Sequence, residues 1–320
     1  MSYIIRPVLP EIREPQEIDE AEYRKIINAR KLAWDILLVK EFFSYIVRNF
    51  LILESEINKI EIEAKADFDK FREQCRNGSF HLENTHIFNL LVMNLLTTCR
   101  SYLDLFDYQE KNKERELFLE EEEIRKTLKQ IKEKYHDRYI VCSLFWELRN
   151  YAQHHSHPIT GSPTNINTTE VKIEFTVNAE KVFEQLIAKQ IKRTGKSSIL
   201  QDLKIYLQEQ LNYYPERELQ KYPKYLNIRQ LIKEYIVLLE KVNQEVNEKL
   251  NSRFQEAKTT LSQKVEYYCH GSSPESAFEI YKQNQENGNL ERLDVSLNLF
   301  NNWDKVIKKY SGLDFINDLI

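Results

Sequence analysis

Apolar residues recur along most of this chain at helical spacing, and only a few positions carry residues that stop a helix. Between Glu17 and Asn77 there is neither Gly nor Pro. Ile26, Ile27, Trp34, Leu37, Leu38, Phe42, Tyr45 and Ile46 keep one apolar face there, with Arg30 the one member out of character. The pattern predicts one long helix, or two joined by a kink in the stretch Leu53 to Asn58. Asn77-Gly78 is the first turn signal, and a glycine there suits a helix terminus that closes in the left-handed conformation. A further helix is predicted to open near Asn84-Thr85. Its Ile87, Phe88, Leu90, Leu91, Val92, Met93, Leu95 and Leu96 are apolar almost all round, as in a helix buried by neighbours on several sides. Glu110 to Glu123 is highly charged and reads as a solvated helix start whose acidic residues complement the dipole. From Ile124 to Ala152 the stripe resumes through Leu128, Ile131, Tyr135, Ile140, Val141, Leu144, Phe145 and Leu148. Arg149, four residues beyond Phe145, is thereby placed on the border of the buried face.

Val171 to Val177 alternates apolar and polar residues strictly, the best strand signal in the chain. A two-stranded ribbon with residues 3 to 9 is conceivable, where Pro7 suits an edge strand or an extended arm. Helical spacing returns at Val182, Phe183, Leu186, Ile187 and Ile191 and runs into a basic cluster, Lys189, Lys192, Arg193 and Lys196. Two uses fit that cluster, compensation of a helix dipole or contacts to RNA phosphates. Gly195-Lys196-Ser197 is not read as a phosphate loop, because Gln190 stands where the first glycine of that motif belongs. Tyr213-Tyr214-Pro215 and Tyr222-Pro223 mark a loop. Asn227 then reads as an N-cap with Gln230 at the third helical position. The stripe Ile228, Leu231, Ile232, Tyr235, Leu238, Leu239, Val242, Val246 and Leu250 is expected to continue toward Tyr268 before His270-Gly271 ends it. Ser273-Pro274-Glu275 is expected to cap another helix, Asn287-Gly288-Asn289 to turn, and Leu290 to Tyr310 to form a last helix. The fold class predicted is mostly α, an up-down bundle of long helices with room for one short β-ribbon. The expected organisation is a helical domain over residues 1–250 with a C-terminal helical extension, 251–320, packed on it.

Composition supports this class. The 320 residues include only 6 Gly and 8 Pro, too few for a fold built on many tight turns. The 30% charged fraction suits long solvent-exposed helices. A net charge of -4 excludes a uniformly basic nucleic-acid coat protein and leaves room for a local basic groove. Cys75, Cys99, Cys142 and Cys269 form no CxxC pair, so neither a structural zinc site nor a disulfide framework is expected, and a reducing compartment is the default. The N-terminal residues lack the apolar core of a signal peptide and no run approaches membrane-spanning length. The expected location is therefore the cytoplasm, without a membrane partner.

The densest chemistry lies from Glu147 to His157, Glu-Leu-Arg-Asn-Tyr-Ala-Gln-His-His-Ser-His, where Pro158 and Gly161 require a helix to stop. Arg149 and His154 are five residues apart, about 140° around an ideal helix axis. One straight helix cannot aim both at one point, so either the helix breaks near Ala152 or a second copy of the chain completes the site. A metal reading takes His154, His155 and His157, with His136 or Glu147, as ligands, but neighbouring histidines in a loop point apart and no spaced carboxylate or Cys completes a set. A structural reading takes the stripe from Ile228 to Leu250 as a coiled-coil seam of a non-catalytic helical interaction or scaffold protein, or simply as core.

Arg149-Asn150-Tyr151-Ala152-Gln153-His154 resembles the arginine, polar residue, spacer, histidine motif of the HEPN superfamily, all-helical proteins many of which are metal-independent RNases in toxin and antiviral systems. The resemblance implies an endoribonuclease that uses the substrate's own 2′-hydroxyl and needs no metal or cofactor. His154 would be the acid or base, Arg149 the phosphate clamp and Asn150 an orienting residue, with His155, His157 and Glu147 in support. The identity of the working histidine stays open among His154, His155 and His157. Because the family pairs two motifs across a dimer and this chain has one, a homodimer with a composite site is implied. RNA is the expected partner, with room for an antitoxin or defence-system protein.

Overall fold

A computed structural model describes residues 2–8, 15–107, 118, 121–154, 157–161, 164–167, 170–178, 225–269, 277–283 and 290–310. The fold is mostly α, as expected, with more strand than a single ribbon. The described residues divide into two compact units. One takes residues 1–44, 105–131 and 243–317, and the other residues 45–104, 132–242 and 318–320. Among the described residues no helix is long and apolar enough to cross a membrane.

The first unit contains the opening part of helix α1 (Glu20–Ala66) and a four-stranded antiparallel sheet. The sheet is made of β1 (Ser2–Pro7), β2 (Gln16–Ile18), β8 (Ala277–Gln283) and β9 (Leu290–Ser296), in the order β2-β1-β8-β9. Tyr3, Ile5, Phe278, Ile280 and Val295 are buried, the two-residue period of strands with one covered face. The structure departs from the sequence expectations at three points in this unit. Residues 277–283 and 290–296 form a hairpin rather than helix, because Phe278 and Ile280 alternate inward and find partners in β1, with Ile5 opposite Ile280. The last helix, α7 (Leu297–Tyr310), begins only after β9. β1 is also an inner strand, not an edge or a partner of residues 171–177. Pro7 is tolerated because pairing with β2 stops at Ile5, so at Pro7 only β8 continues the ladder. Arg30, out of character in its stripe, donates from Nε to the Asp294 carbonyl at 2.7 Å. The buried face of α1 overlaps the predicted stripe at Ile26, Leu37 and Ile46 and departs from it elsewhere. Ile26, Ala33, Ile36, Leu37, Phe43 and Ile46 are buried, whereas Tyr45 is 42% exposed.

The second unit holds the rest of α1, α2 (Phe68–Asn77), α3 (Ser79–Asp104), the end of α4 (Glu122–Arg138), α5 (Ile140–His154) and the start of α6 (Ile228–Cys269). The break between α1 and α2 falls at Asp67, not at Leu53 to Asn58, and the Asp67 carboxylate caps α2 by accepting the Lys70 N–H at 3.1 Å. Gly78 ends α2 at φ +79°, the left-handed terminus its sequence predicts. α3 opens at Ser79, about a turn before Asn84. Tyr139 divides the predicted 124–152 helix into α4 and α5. Short strands accompany the helices. β3 (Ile159–Gly161), β6 (Thr176–Asn178) and β7 (Tyr225–Asn227) form one antiparallel sheet, β4 (Thr164–Asn167) and β5 (Glu170–Ile173) another. The strand signal at Val171 to Val177 is thus realised in two pieces, one paired with β4 and the other lying between β3 and the distant β7.

Asn227 caps α6 as predicted, its side chain accepting the Arg229 N–H at 3.0 Å. Every member of the Ile228 to Leu250 stripe is buried within the chain, so the stripe is core and no second helix is needed to cover it. The predicted helix at Val182 to Ile191, the loop around Tyr213 to Pro223, and the stretches at Ser273-Pro274-Glu275 and Asn287-Gly288-Asn289 lie outside the described residues.

Candidate functional site

α5 is fixed by its apolar face. Val141, Leu144, Phe145 and Leu148 follow the i, i+3, i+4, i+7 spacing and are buried. Phe145 stacks on Tyr235 of α6 with ring centroids 4.7 Å apart and planes 5° off parallel. Arg149 emerges half-buried beside this face, as its position four residues beyond Phe145 predicts. Its Nη1 makes one long hydrogen bond, 3.4 Å, to the Asn150 side-chain oxygen. Its Nε is sealed from solvent and has no acceptor among the described residues. Burial lowers the Arg149 pKa, the nearby Arg100 guanidinium lowers it further, and Asp104 pulls the other way.

Arg100 is the residue that sequence reasoning missed. It sits on α3, which packs against α5, and its Nε bridges both oxygens of Asp104 at 2.7 and 2.8 Å. Its guanidinium carbon lies 3.0 Å from the centre of the Trp146 ring. Trp146 is three residues before Arg149, on the same side of α5, so the contact brings the two arginines side by side. Lys132 and His136 of α4 also reach Trp146, the lysine nitrogen 5.9 Å and the imidazole 5.6 Å from the ring centre. A signal was present, because Arg100 is the one Lys or Arg in α3, a single cation on a helix otherwise read as apolar all round.

α5 continues unbroken through Ala152 to His154, so the alternative of a break near Ala152 is excluded. His154 occupies the last helical position and is exposed, and His157 is exposed after it. Glu147 and Asn150 are half-buried on either side of Arg149. His155 and the basic cluster Lys189, Lys192, Arg193 and Lys196 lie outside the described residues. Among the described residues no three His, Cys, Asp or Glu side chains are grouped as metal ligands would be.

The chain is pinned just after the histidines. Asn89 of α3, 4% exposed, accepts the Ile159 N–H at 2.9 Å and donates to the Ile159 carbonyl at 3.2 Å, while also donating to the Thr85 carbonyl at 2.9 Å. Its carboxamide thereby copies a strand neighbour, and Pro158 and Ile159 are buried beside it. Asn89→Leu leaves both backbone groups of Ile159 without partners in a sealed place. We expect a loss of about 2–3 kcal/mol in urea unfolding. A midpoint matching the parent protein would show that Asn89 anchors nothing. No family model, curated protein or solved structure matches this chain.

Proposed function

We propose that this chain is a metal-independent endoribonuclease of the HEPN type with a toxin or antiviral defence role, acting as a homodimer on RNA through a composite site. In this reading a base removes the proton from a 2′-hydroxyl, and the 2′-oxygen attacks the adjacent phosphorus. The bond from phosphorus to the 5′-oxygen breaks, and that oxygen takes up a proton. The products are a 2′,3′-cyclic phosphate and a 5′-hydroxyl. His154 exchanges the protons, since an imidazole takes and gives them near neutral pH. Arg149 grips the phosphate and steadies its added charge, a task for a planar fork that stays charged. Asn150, touching Arg149 Nη1, holds the guanidinium in its orientation.

The observation that carries the reading is Arg149 itself, a half-buried guanidinium with one long hydrogen bond and a sealed Nε that has no acceptor among the described residues. The sealed Nε is out of a ligand's reach, so a phosphate would meet the solvent-facing part of this half-buried guanidinium, where the bond among the described residues is the long one to Asn150. Exposed His154 on the same helix supplies the proton chemistry. With α5 straight, Arg149 and His154 point about 140° apart, and a partner protomer's histidine meeting this Arg149 is the simplest way to unite them.

His154→Ala tests the assignment. Cleavage should vanish while urea unfolding stays within about 0.5 kcal/mol, because an exposed side chain carries little packing energy. Full activity in that variant, with His155→Ala inactive, moves the role to His155. The dimer is checked by light scattering at working concentration, where a monomer mass contradicts a composite site.

A further inference from the structure

We infer that Arg100 is a second phosphate-contacting residue, so that one RNA phosphate is held between the guanidinium groups of Arg100 and Arg149. The inference rests on the proposed RNA-cleaving reading and adds a substrate contact that the motif from Arg149 to His154 does not contain.

Three observations meet at this place. Neither guanidinium is wholly sealed, the Arg100 side chain being 22% exposed and Arg149 half-buried, so a ligand from solvent can reach part of each. The stacking of Arg100 on Trp146, one turn before Arg149, sets the two cations next to each other. Asp104 is a carboxylate that faces them, and its bonds to Arg100 run through Nε. Two like charges are unfavourable side by side, and an oxyanion that meets both offsets the repulsion. Lys132, 7% exposed and also near Trp146, adds a third cation to the surroundings. Trp146 is not a free platform for a base, because Arg100 covers one face and His136 meets the ring in an edge-on contact. The ligand recognised here is therefore a phosphate group, and Trp146 is a positioning residue that holds Arg100 in place.

The probe is a fluorescent RNA oligonucleotide carrying 2′-O-methyl groups, which has no nucleophile and is not cut. Its binding is followed by anisotropy over a range of salt. Arg100→Gln should weaken binding about tenfold and reduce the slope of log affinity against log salt by about 0.7, the signature of one lost phosphate contact on a single strand. Arg149→Gln should do the same. Asp104→Asn leaves Arg100 in place and removes its competing anion, so binding should tighten severalfold. That variant keeps the test alive if Arg100→Gln fails to fold.

Unchanged affinity and slope in Arg100→Gln, no effect of Asp104→Asn, or no binding by the parent protein would each overturn the inference. Cleavage of ordinary RNA is scored separately. A protein that holds the inert RNA through Arg100 but cuts nothing supports this contact while the nuclease reading falls. A protein that cuts RNA equally well with Gln at position 100 keeps the nuclease reading and sinks the contact.

Discussion

Arg149→Lys is expected to lower RNA cleavage by about a hundredfold or more while weakening RNA binding much less. Lysine keeps the positive charge, so attraction to the phosphate backbone survives. It loses the planar fork that places two N–H groups on two phosphate oxygens in one orientation. In the proposed mechanism that orientation matters most when the phosphorus carries its added negative charge, so the loss belongs in the rate at saturating RNA. The local structure sharpens the expectation, because Arg149 leaves the edge of the packed face of α5 half-buried, with Asn150 bonded to its Nη1. A flexible ammonium there has no comparable support. Cleavage at the parent rate with Lys at this position would remove Arg149 from the chemistry.

The largest expected effect on stability lies at Arg229. Its guanidinium meets Glu61 at 2.7 Å, Glu54 at 3.1 Å and the Ile173 carbonyl at 2.9 Å. Glu61 also accepts the Ile173 N–H at 2.9 Å, and Lys233 approaches Glu54 at 3.6 Å. The side chains of Arg229 and Glu54 are only 11% and 4% exposed. Burial by itself would lower the Arg229 pKa, but Glu54 and Glu61 together raise it, so the cation is held firmly. Arg229→Met strands two carboxylates in a sealed network, and about 3–5 kcal/mol should be lost in denaturant unfolding. The deficit should shrink as pH is lowered. In the variant the folded state binds protons on the stranded carboxylates more tightly than the unfolded state does, so acid favours folding relative to neutral pH. Replacing Glu54 and Glu61 by Gln in the same chain should recover part of the loss. A change below about 1 kcal/mol for Arg229→Met would mean that the network contributes only as exposed ion pairs do.

That network also explains where sequence reasoning stopped. Glu54 sits on the buried face of α1, inside the stretch where a kink is expected, and its partner, Arg229, is 175 positions away. The real break at Asp67 is marked only by a short capping side chain. Local chemistry is legible at several helix ends. Gly78 closes α2, Asn227 opens α6, and α5 stops four residues before Pro158. Pairing between distant segments is not. The hairpin of β8 and β9 reads as helix in the sequence because its alternation, Phe278 and Ile280 against Val295, makes sense only once β1 lies alongside. In the candidate site Arg149 was placed correctly at the edge of its face. The exit of α5 depends on Asn89 of α3, and the surroundings of Arg149 depend on Arg100 of the same helix. Neither was visible from the motif, because helical spacing relates residues within a helix and says nothing about which helix packs beside it.

The central claim is tested most directly by the ends left on a defined RNA after incubation with the purified protein in excess EDTA. Chemistry carried by Arg149 and His154, with the substrate's own 2′-oxygen as nucleophile, predicts continued cleavage and fragments bearing a 2′,3′-cyclic phosphate and a 5′-hydroxyl, with the matching DNA left intact. Cleavage that stops in EDTA and returns with zinc or manganese, or fragments ending in a 3′-hydroxyl, would contradict the account and shift attention to the histidines as metal ligands.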